Sequence, residues 1–223
     1  MIQNIQIREN LLRTNEEVAI DNRRLLDDAN IFSLNVMASP GAGKTSLIER
    51  TVDKLKDQFT IGVIDGDLAS SLDAERASKA GARAYQINTG GACHLDAIML
   101  NQAFNQINLN LFKLIIVENV GNLVCPVNFK LGTHRNILVA SIPEGDDKPY
   151  KYPNSYRHVD VLILNKIDLL PYTPFNLEYF RQGIEILNPG VITFELSCLT
   201  GAGIENWVNW IRTECKSENQ VLI

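Results

Sequence analysis

Three groups of residues in this chain have types and spacings that could do chemistry. The first is Ser39-Pro40-Gly41-Ala42-Gly43-Lys44-Thr45-Ser46. Glycines at 41 and 43, with the small Ala42 between them, let backbone N–H groups turn inward around phosphate oxygens without a Cβ clash. A helix beginning near Lys44 adds the positive end of its dipole. Lys44 is expected to reach the β- and γ-phosphates, the Thr45 hydroxyl to hold Mg²⁺, and Ser46 to contact the nucleotide. Ala38 stands where the strict phosphate-loop pattern has glycine. Alanine serves there if its φ is negative. The second group is a set of acids. Asp65-Gly66-Asp67 and Glu118-Asn119-Val120-Gly121 each end an apolar run. Glu118 is expected to bind Mg²⁺ directly or through water. The Gly121 N–H is placed to touch a γ-phosphate and lose it on hydrolysis. Asp67 is the candidate for positioning the attacking water and joining the Mg²⁺ site, with Asp65 or Asp73 as alternatives near the ion. A solvated strand-end carboxylate remains an open reading for each. No arginine finger is evident, so unaided hydrolysis should be slow.

The third group is Cys93-His94 and Cys125. A thiolate near a helix N-terminus has a lowered pKa, and deprotonated sulfur is what a soft or borderline metal takes. An adjacent Cys-His pair with a distant Cys is not the usual C-x₂-C spacing. Residue types alone therefore leave two readings, a metal ligand set or buried, unliganded thiols. If the site is real, three ligands fall short of the four of a closed zinc site, which leaves a position for water, a second subunit or a partner. His134 and His158 read better as surface or core histidines, and Cys198 and Cys215 as non-ligands.

One further motif reads a base. Asn165-Lys166-Ile167-Asp168 resembles the guanine-recognition motif N-K-x-D of G-domain proteins. A carboxylate accepts two hydrogens side by side, and guanine offers N1–H and its 2-amino group in that arrangement. Asp168 is expected to set specificity, Asn165 to buttress the loops, and the Lys166 stem to cover one base face. Ser197 and Cys198 sit where such proteins close over the base.

The elements that must position these groups alternate. Strands are expected at 31–37, 60–65, 84–88, 113–118, 136–142, 159–165 and 191–196. Helices are expected at 44–57, 69–80, 95–107, 175–187 and 203–215. Runs such as Leu114–Val117 and Val159–Leu164 are apolar throughout, so both faces of those strands are covered. That predicts an α/β fold with a mostly parallel sheet flanked by helices on both faces. Leu11-Leu12, Val18-Ala19 and Leu25-Leu26 recur every seven residues, which predicts an N-terminal helix packed on the domain or facing a partner. Residues 141–153 read as a polar loop. The expected organisation is a helical segment at 1–30, a nucleotide domain at 31–215 and a tail at 216–223.

Composition bounds the function. A net charge of −5 gives no broad basic face, which argues against nucleic acid. No stretch approaches the roughly 20 apolar residues of a membrane span. Met1–Asn4 has neither a basic start nor an apolar run, and Val221–Ile223 is no lipidation signal. A cytoplasmic setting is therefore expected, in which the four cysteines stay reduced.

Taken together, the residues resemble the HypB family of hydrogenase nickel-incorporation GTPases. The matching segments are 35–45, 66–69, 86–97 (QINTGGACHLDA), 118–126 (ENVGNLVCP), 144–153 (EGDDKPYKYP), 165–171 (NKIDLLP) and 196–201 (LSCLTG). The resemblance implies a P-loop NTPase that converts GTP and water to GDP and phosphate, related to the urease accessory GTPase. It implies homodimerisation promoted by GTP and metal, and nickel delivery to NiFe hydrogenase, whose large subunit would be reached indirectly. It implies a Ni²⁺ or Zn²⁺ site of Cys93, His94 and Cys125 near the dimer interface. HypA and the nickel chaperone SlyD are the implied partners. Lys148 would lie in a segment that contacts nucleotide or subunit across the dimer. Some members carry an N-terminal cysteine motif or histidine-rich stretch; residues 1–38 have neither His nor Cys, so no nickel store is expected there. Two alternatives stand beside this reading, a GTP-dependent switch with a structural zinc and a urease-type nickel accessory GTPase. The urease branch is expected to use Cys-Pro-His, where this chain has Cys93-His94 adjacent. A small-molecule kinase is disfavoured by Asn165–Asp168.

Overall fold

Apolar runs in this chain end in turns and are followed by helices, and in the computed structural model they line up as seven parallel strands. The structure describes residues 7–67 and 71–217. In chain order the elements are α1 (Ile7–Asp28), β1 (Phe32–Ala38), α2 (Lys44–Leu55), β2 (Ile61–Asp67), α3 (Leu72–Ala80), β3 (Arg83–Asn88), α4 (Ala97–Phe104), β4 (Leu114–Glu118), β5 (Arg135–Ser141), α5 (Lys148–Lys151), α6 (Pro153–Arg157), β6 (Val161–Asn165), α7 (Leu177–Leu187), β7 (Ile192–Glu195) and α8 (Ile204–Ser217). The strand order is β3-β2-β4-β1-β5-β6-β7. Every described pairing is parallel, so the sheet is more uniform than the expected mostly parallel one.

The uninterrupted apolar strands have a direct cause. Leu114 and Ile116 point into a core with α2 and α8, whereas Ile115 and Val117 point into a second core with α1 and α4. Successive side chains of a strand face opposite ways, so a strand covered on both sides must be apolar at every position. Trp207 fills the first core, and its indole N–H donates to Thr51 Oγ1 at 2.9 Å, so the large ring is buried without an orphaned donor.

Four expectations need correction. In the N-terminal pairs only Ala19 and Leu26 are buried, and Leu11 is 61% exposed. Adjacent helical residues lie about 100° apart, so both members of a pair cannot face the core. The buried stripe of α1 is instead Asn15, Ala19, Asn22 and Leu26. Residues 141–153 are not a plain loop. They hold a 3₁₀ turn at Ile142–Glu144 and α5, and α6 starts at Pro153. Pro143, Pro149 and Pro153 each sit in a first turn, where a missing N–H costs nothing. The helix expected from 95 begins at Ala97, because Asp96 Oδ1 accepts from the Met99 amide at 2.8 Å and caps it. α8 continues through Lys216 and Ser217, two residues into the expected tail. The expectations for Met1–Asn4, for Leu68 and Ala69, and for Val221–Ile223 fall outside the described residues. Among the described residues no helix is long and apolar enough to cross a membrane.

Candidate functional site

Open parallel sheets bind ligands beyond the carboxyl ends of their strands, where the connections part to either side. Here β1, β2, β4 and β6 end together. Asp65 and Val36 both lie in register with Glu118. Ala38 is the last residue of β1, an extended position that alanine adopts freely. The turn that follows passes through Gly41 (φ 79°) and Gly43 (φ 105°), a left-handed backbone that favours glycine. Gly43 has a second constraint, since a Cβ there would lie 2.3 Å from Asn165 Nδ2. Gly41, Gly43, Lys44, Thr45 and Ser46 line a cavity of about 450 Å³ with Asp65, Asp67, Asp73, Glu118 and Gly121. Ala42 is fully buried and contributes its carbonyl to Asn165 Nδ2 at 3.0 Å.

The acids do not all converge. Among the described residues, carboxylate oxygens of Asp65, Asp73 and Glu118 lie within 4.8 Å of one another. Asp67 lines the cavity but is outside that trio. Thr45 Oγ1 donates to Glu118 Oε1 at 2.7 Å. Glu118 Oε2 and Asp65 Oδ2 are buried without a hydrogen-bond partner. Burial is the main reason both carboxyls are pushed up to about 7, with Asp73 and Asp67 adding to the effect on Asp65. Two orphaned buried oxygens beside a hydroxyl are what a hard divalent cation would satisfy, so the residues fit Mg²⁺.

A residue that sequence reasoning missed also lines this cavity. Arg76 binds Glu49 through two nitrogens, at 3.0 and 2.5 Å, and lies 3.3 Å from Ser46 Oγ and 3.6 Å from Asp73. The signal was available as its spacing, one turn after Asp73 on the helix that follows β2.

The second cavity, of about 680 Å³, shares Gly43, Ser46, Arg76 and Lys166 with the lining of the first. Asn165, Asp168 and Cys198 line it. Asn165 is 1% exposed; its Oδ1 accepts from the Lys166 and Cys198 amides at 2.8 and 3.2 Å. It therefore ties three loops together. Lys166 takes a left-handed φ of 62°, and its Nζ donates to the Gly41 carbonyl at 2.6 Å. Asp168 Oδ1 is buried and unpartnered. Burial pushes the Cys198 thiol up to about 11, which suits a packed thiol rather than a ligand. Ser197 does not line the cavity. It is fully buried, and its Oγ accepts from the Thr200 amide at 3.1 Å, holding the turn that carries Cys198.

Near the same strand ends, Cys93, His94 and Cys125 bring two sulfurs and a ring nitrogen within 4.8 Å of one another. The donor set fits a soft or borderline divalent metal. Cys93 is exposed, and Cys125 is half-buried. The lowered thiol pKa expected from a helix start does not arise at Cys93. The cap is three residues away, and the Cys125 sulfur, more than burial, pushes the Cys93 thiol up. Burial pushes the His94 imidazole down, which favours the neutral form that ligates. The ring stacks on Phe129 at 3.9 Å between centroids. His134 is a core histidine, bonded to Ser33 Oγ at 2.7 Å and to Asp27 at 2.9 Å. His158 and Cys215 also lie outside the cluster. Lys148 lies over the Tyr152 ring, 4.9 Å from its centroid.

Comparison with known proteins bears on all of this. The family described as "CobW/HypB/UreG, nucleotide-binding domain" matches residues 33–195. The hydrogenase maturation factor HypB of Rhizobium leguminosarum bv. viciae is 44% identical over 207 residues, which is 93% of this chain and 69% of the relative. The crystal structure of HypB from Helicobacter pylori in complex with nickel superposes with a TM-score of 0.86 at 35% identity, over 92% of this chain and 96% of that one. The hydrogenase maturation factor HypB of Archaeoglobus fulgidus gives 0.85 at 34% identity, over 91% and 99%.

Proposed function

From the premise that this chain belongs to the CobW/HypB/UreG family, among its hydrogenase maturation factors, we propose that it is a GTP-hydrolysing metallochaperone. Its cargo is nickel, and its task is the insertion of that nickel during NiFe hydrogenase maturation. The observation that carries the reading is the placement of Cys93, His94 and Cys125. These ligands flank the segment Glu118–Gly121 that lines the phosphate cavity. Three ligands leave a position through which a metal can be passed on, whereas a structural zinc uses four.

In this reading the Gly41–Ser46 turn cradles the phosphates and Lys44 neutralises charge on the γ-phosphate. Thr45, Glu118 and Asp65 would hold Mg²⁺, which supplies charge stabilisation when bound. Asp67 positions the attacking water, with Asp73 nearer the metal acids. Asp168 accepts two hydrogen bonds from guanine, and Asn165 and Lys166 fix the loop that presents it. Cys198 closes the base cavity. GTP and metal promote a homodimer, with Lys148 reaching across it. HypA and SlyD are the partners on the nickel route, in the cytoplasm, and the hydrogenase large subunit is reached indirectly. Zn²⁺ can occupy the same three ligands.

The test is hydrogenase nickel content in a strain that lacks the gene. Supplying the chain is expected to restore it, and an unchanged content sinks the delivery reading. Restored urease activity with hydrogenase still nickel-free would assign the chain to the urease-type alternative.

A further inference from the structure

The two loops that carry the metal ligands are anchored firmly at one end and bridged by the Asn122 side chain at the other. The firm end belongs to asparagines. Asn119 is 1% exposed; its Oδ1 accepts from the Leu95 amide at 3.0 Å, and its Nδ2 donates to Asn35 at 3.1 Å. On α1, Asn15 accepts from the Ala97 amide at 2.8 Å and donates to the Lys130 carbonyl at 2.8 Å. Asn22 donates to the Ala97 and Leu131 carbonyls at 2.9 and 3.0 Å. The chain just after His94, and the chain a few residues after Cys125, are thus held to one helix by buried carboxamides. Buried polar groups with every partner in place are costly to disturb.

The ligand ends are held differently. Asn122 Nδ2 donates to the Cys93 carbonyl at 3.3 Å. Its Oδ1 accepts from the Val124 and Cys125 amides at 2.9 and 3.4 Å. One half-exposed side chain therefore bridges both cysteine loops. Asn122 also follows Gly121 directly, and Gly121 lies against the phosphate loop. A Cβ built on it would sit 3.6 Å from Lys44 Nζ and from Pro40. A shift of the Gly121 peptide carries Asn122 with it, while Asn15, Asn22 and Asn119 keep the far ends in place.

We infer that Asn122 is a positioning residue that converts phosphate occupancy at Gly121 into a change in the separation of Cys93 and Cys125. Nickel affinity then depends on which nucleotide is bound, and this side chain sets the dependence. The inference rests on the proposed reading of the chain as a GTP-hydrolysing metallochaperone.

The experiment measures Ni²⁺ affinity of the full chain with GDP and with a non-hydrolysable GTP analogue. For the wild-type chain the two affinities are expected to differ by at least about fivefold, the lower end of usual coupling. Asn122→Asp is nearly isosteric; it keeps the acceptor for the Val124 and Cys125 amides and removes the amide donor to Cys93. Its added charge acts in both nucleotide states, so the ratio is the readout, and the ratio is expected to fall to about one. Asn122→Ala releases both loops and is expected to weaken binding by about tenfold or more. Its thiolate-to-nickel absorption per bound ion should fall, while GDP affinity stays unchanged. An Asn122→Asp chain that keeps the wild-type ratio overturns the role of this residue alone. A wild-type chain with equal affinities in both states overturns the coupling as well, so the two failures are distinguishable.

Discussion

The nucleotide crevice and the cysteine cluster lie near the same strand ends, yet they are built by opposite means. In the crevice, Glu118 and Asn165 are 2% and 1% exposed and terminate β4 and β6. Their side chains are held before any ligand arrives, and the buried oxygens of Glu118, Asp65 and Asp168 are left without partners. In the cluster, Cys93 is exposed and sits on a loop, and a half-exposed asparagine links it to the Cys125 loop. Strand ends in a covered sheet give precise positions because moving them disrupts a packed core. Loops can rearrange at low cost. A site that must hold charge in one geometry suits the first construction, and the proposed site that binds and then releases a metal suits the second.

If that contrast is right, substitutions in one region should spare the other. The largest effect is expected from Lys44→Ala. Losing one preorganised charge at the phosphates should slow GTP turnover by about 10²–10³-fold. Nickel affinity without nucleotide should stay unchanged, and a parallel loss of nickel binding would erase the distinction between the regions. Asp168→Asn has a smaller effect. Loss of hydrogen bonds to a charged acceptor is worth about 1.5–3 kcal/mol, so GTP affinity should fall by roughly 10–100-fold. The same variant should bind xanthosine triphosphate better than wild type does, because the xanthine 2-carbonyl accepts from the new amide. Unchanged GTP affinity in competition binding would remove Asp168 from the base site.

On the other side of the comparison, Cys125→Ala should weaken nickel binding by more than the 10–100-fold typical of outer-shell changes, with metal-free GTP turnover preserved. Phe129→Ala removes the ring beneath His94, and a stacked pair is worth about 0.5–1.5 kcal/mol. Nickel affinity read by competition with a chelator should therefore drop about 2–10-fold, and no change would mean that the ring only packs.

A further effect concerns pH. Glu118 and Asp65 are each pushed up to about 7, well above the unfolded carboxylate range. The folded state therefore binds these protons more tightly than the unfolded state. The contribution of these two groups to the stability of the metal-free protein should be fully present below the unfolded values and be lost as pH rises towards 7. Each kcal/mol lost lowers Tm by about 2–4 °C in a chain of this size, and added Mg²⁺ with GDP should reverse the decline. A Tm that rises over that interval, measured in chelator, would mean that the acids are not held apart from solvent as the geometry indicates.

Much of the crevice was legible in the chain because its parts are local. The Gly41–Ser46 turn, the Asn165–Asp168 motif and the acid that ends β4 each lie within a few residues, next to a strand recognisable by its apolar run. All seven strands were anticipated for the same reason. Less legible were choices among equals. Asp65, Asp67 and Asp73 have the same chemistry, and only the path of β2 and α3 brings Asp65 and Asp73 to Glu118. Arg76 has only its spacing from Asp73 to mark it, because an arginine on a helix is ordinarily solvated, and here the helix turns it towards Ser46.

The sequence by itself determined which residues could bind phosphate, a base or a soft metal, since those capacities reside in side-chain type and short-range backbone shape. It also determined the α/β layering, through strands apolar at every position. The tertiary structure alone decided which of those residues meet. Cys93 and Cys125 are brought together from neighbouring loops, and Asn22 reaches Leu131 across 109 residues of chain. Such contacts depend on how helices pack on the sheet. No local pattern encodes that, because an asparagine that anchors a loop and one that faces water are the same residue until the fold chooses its neighbours.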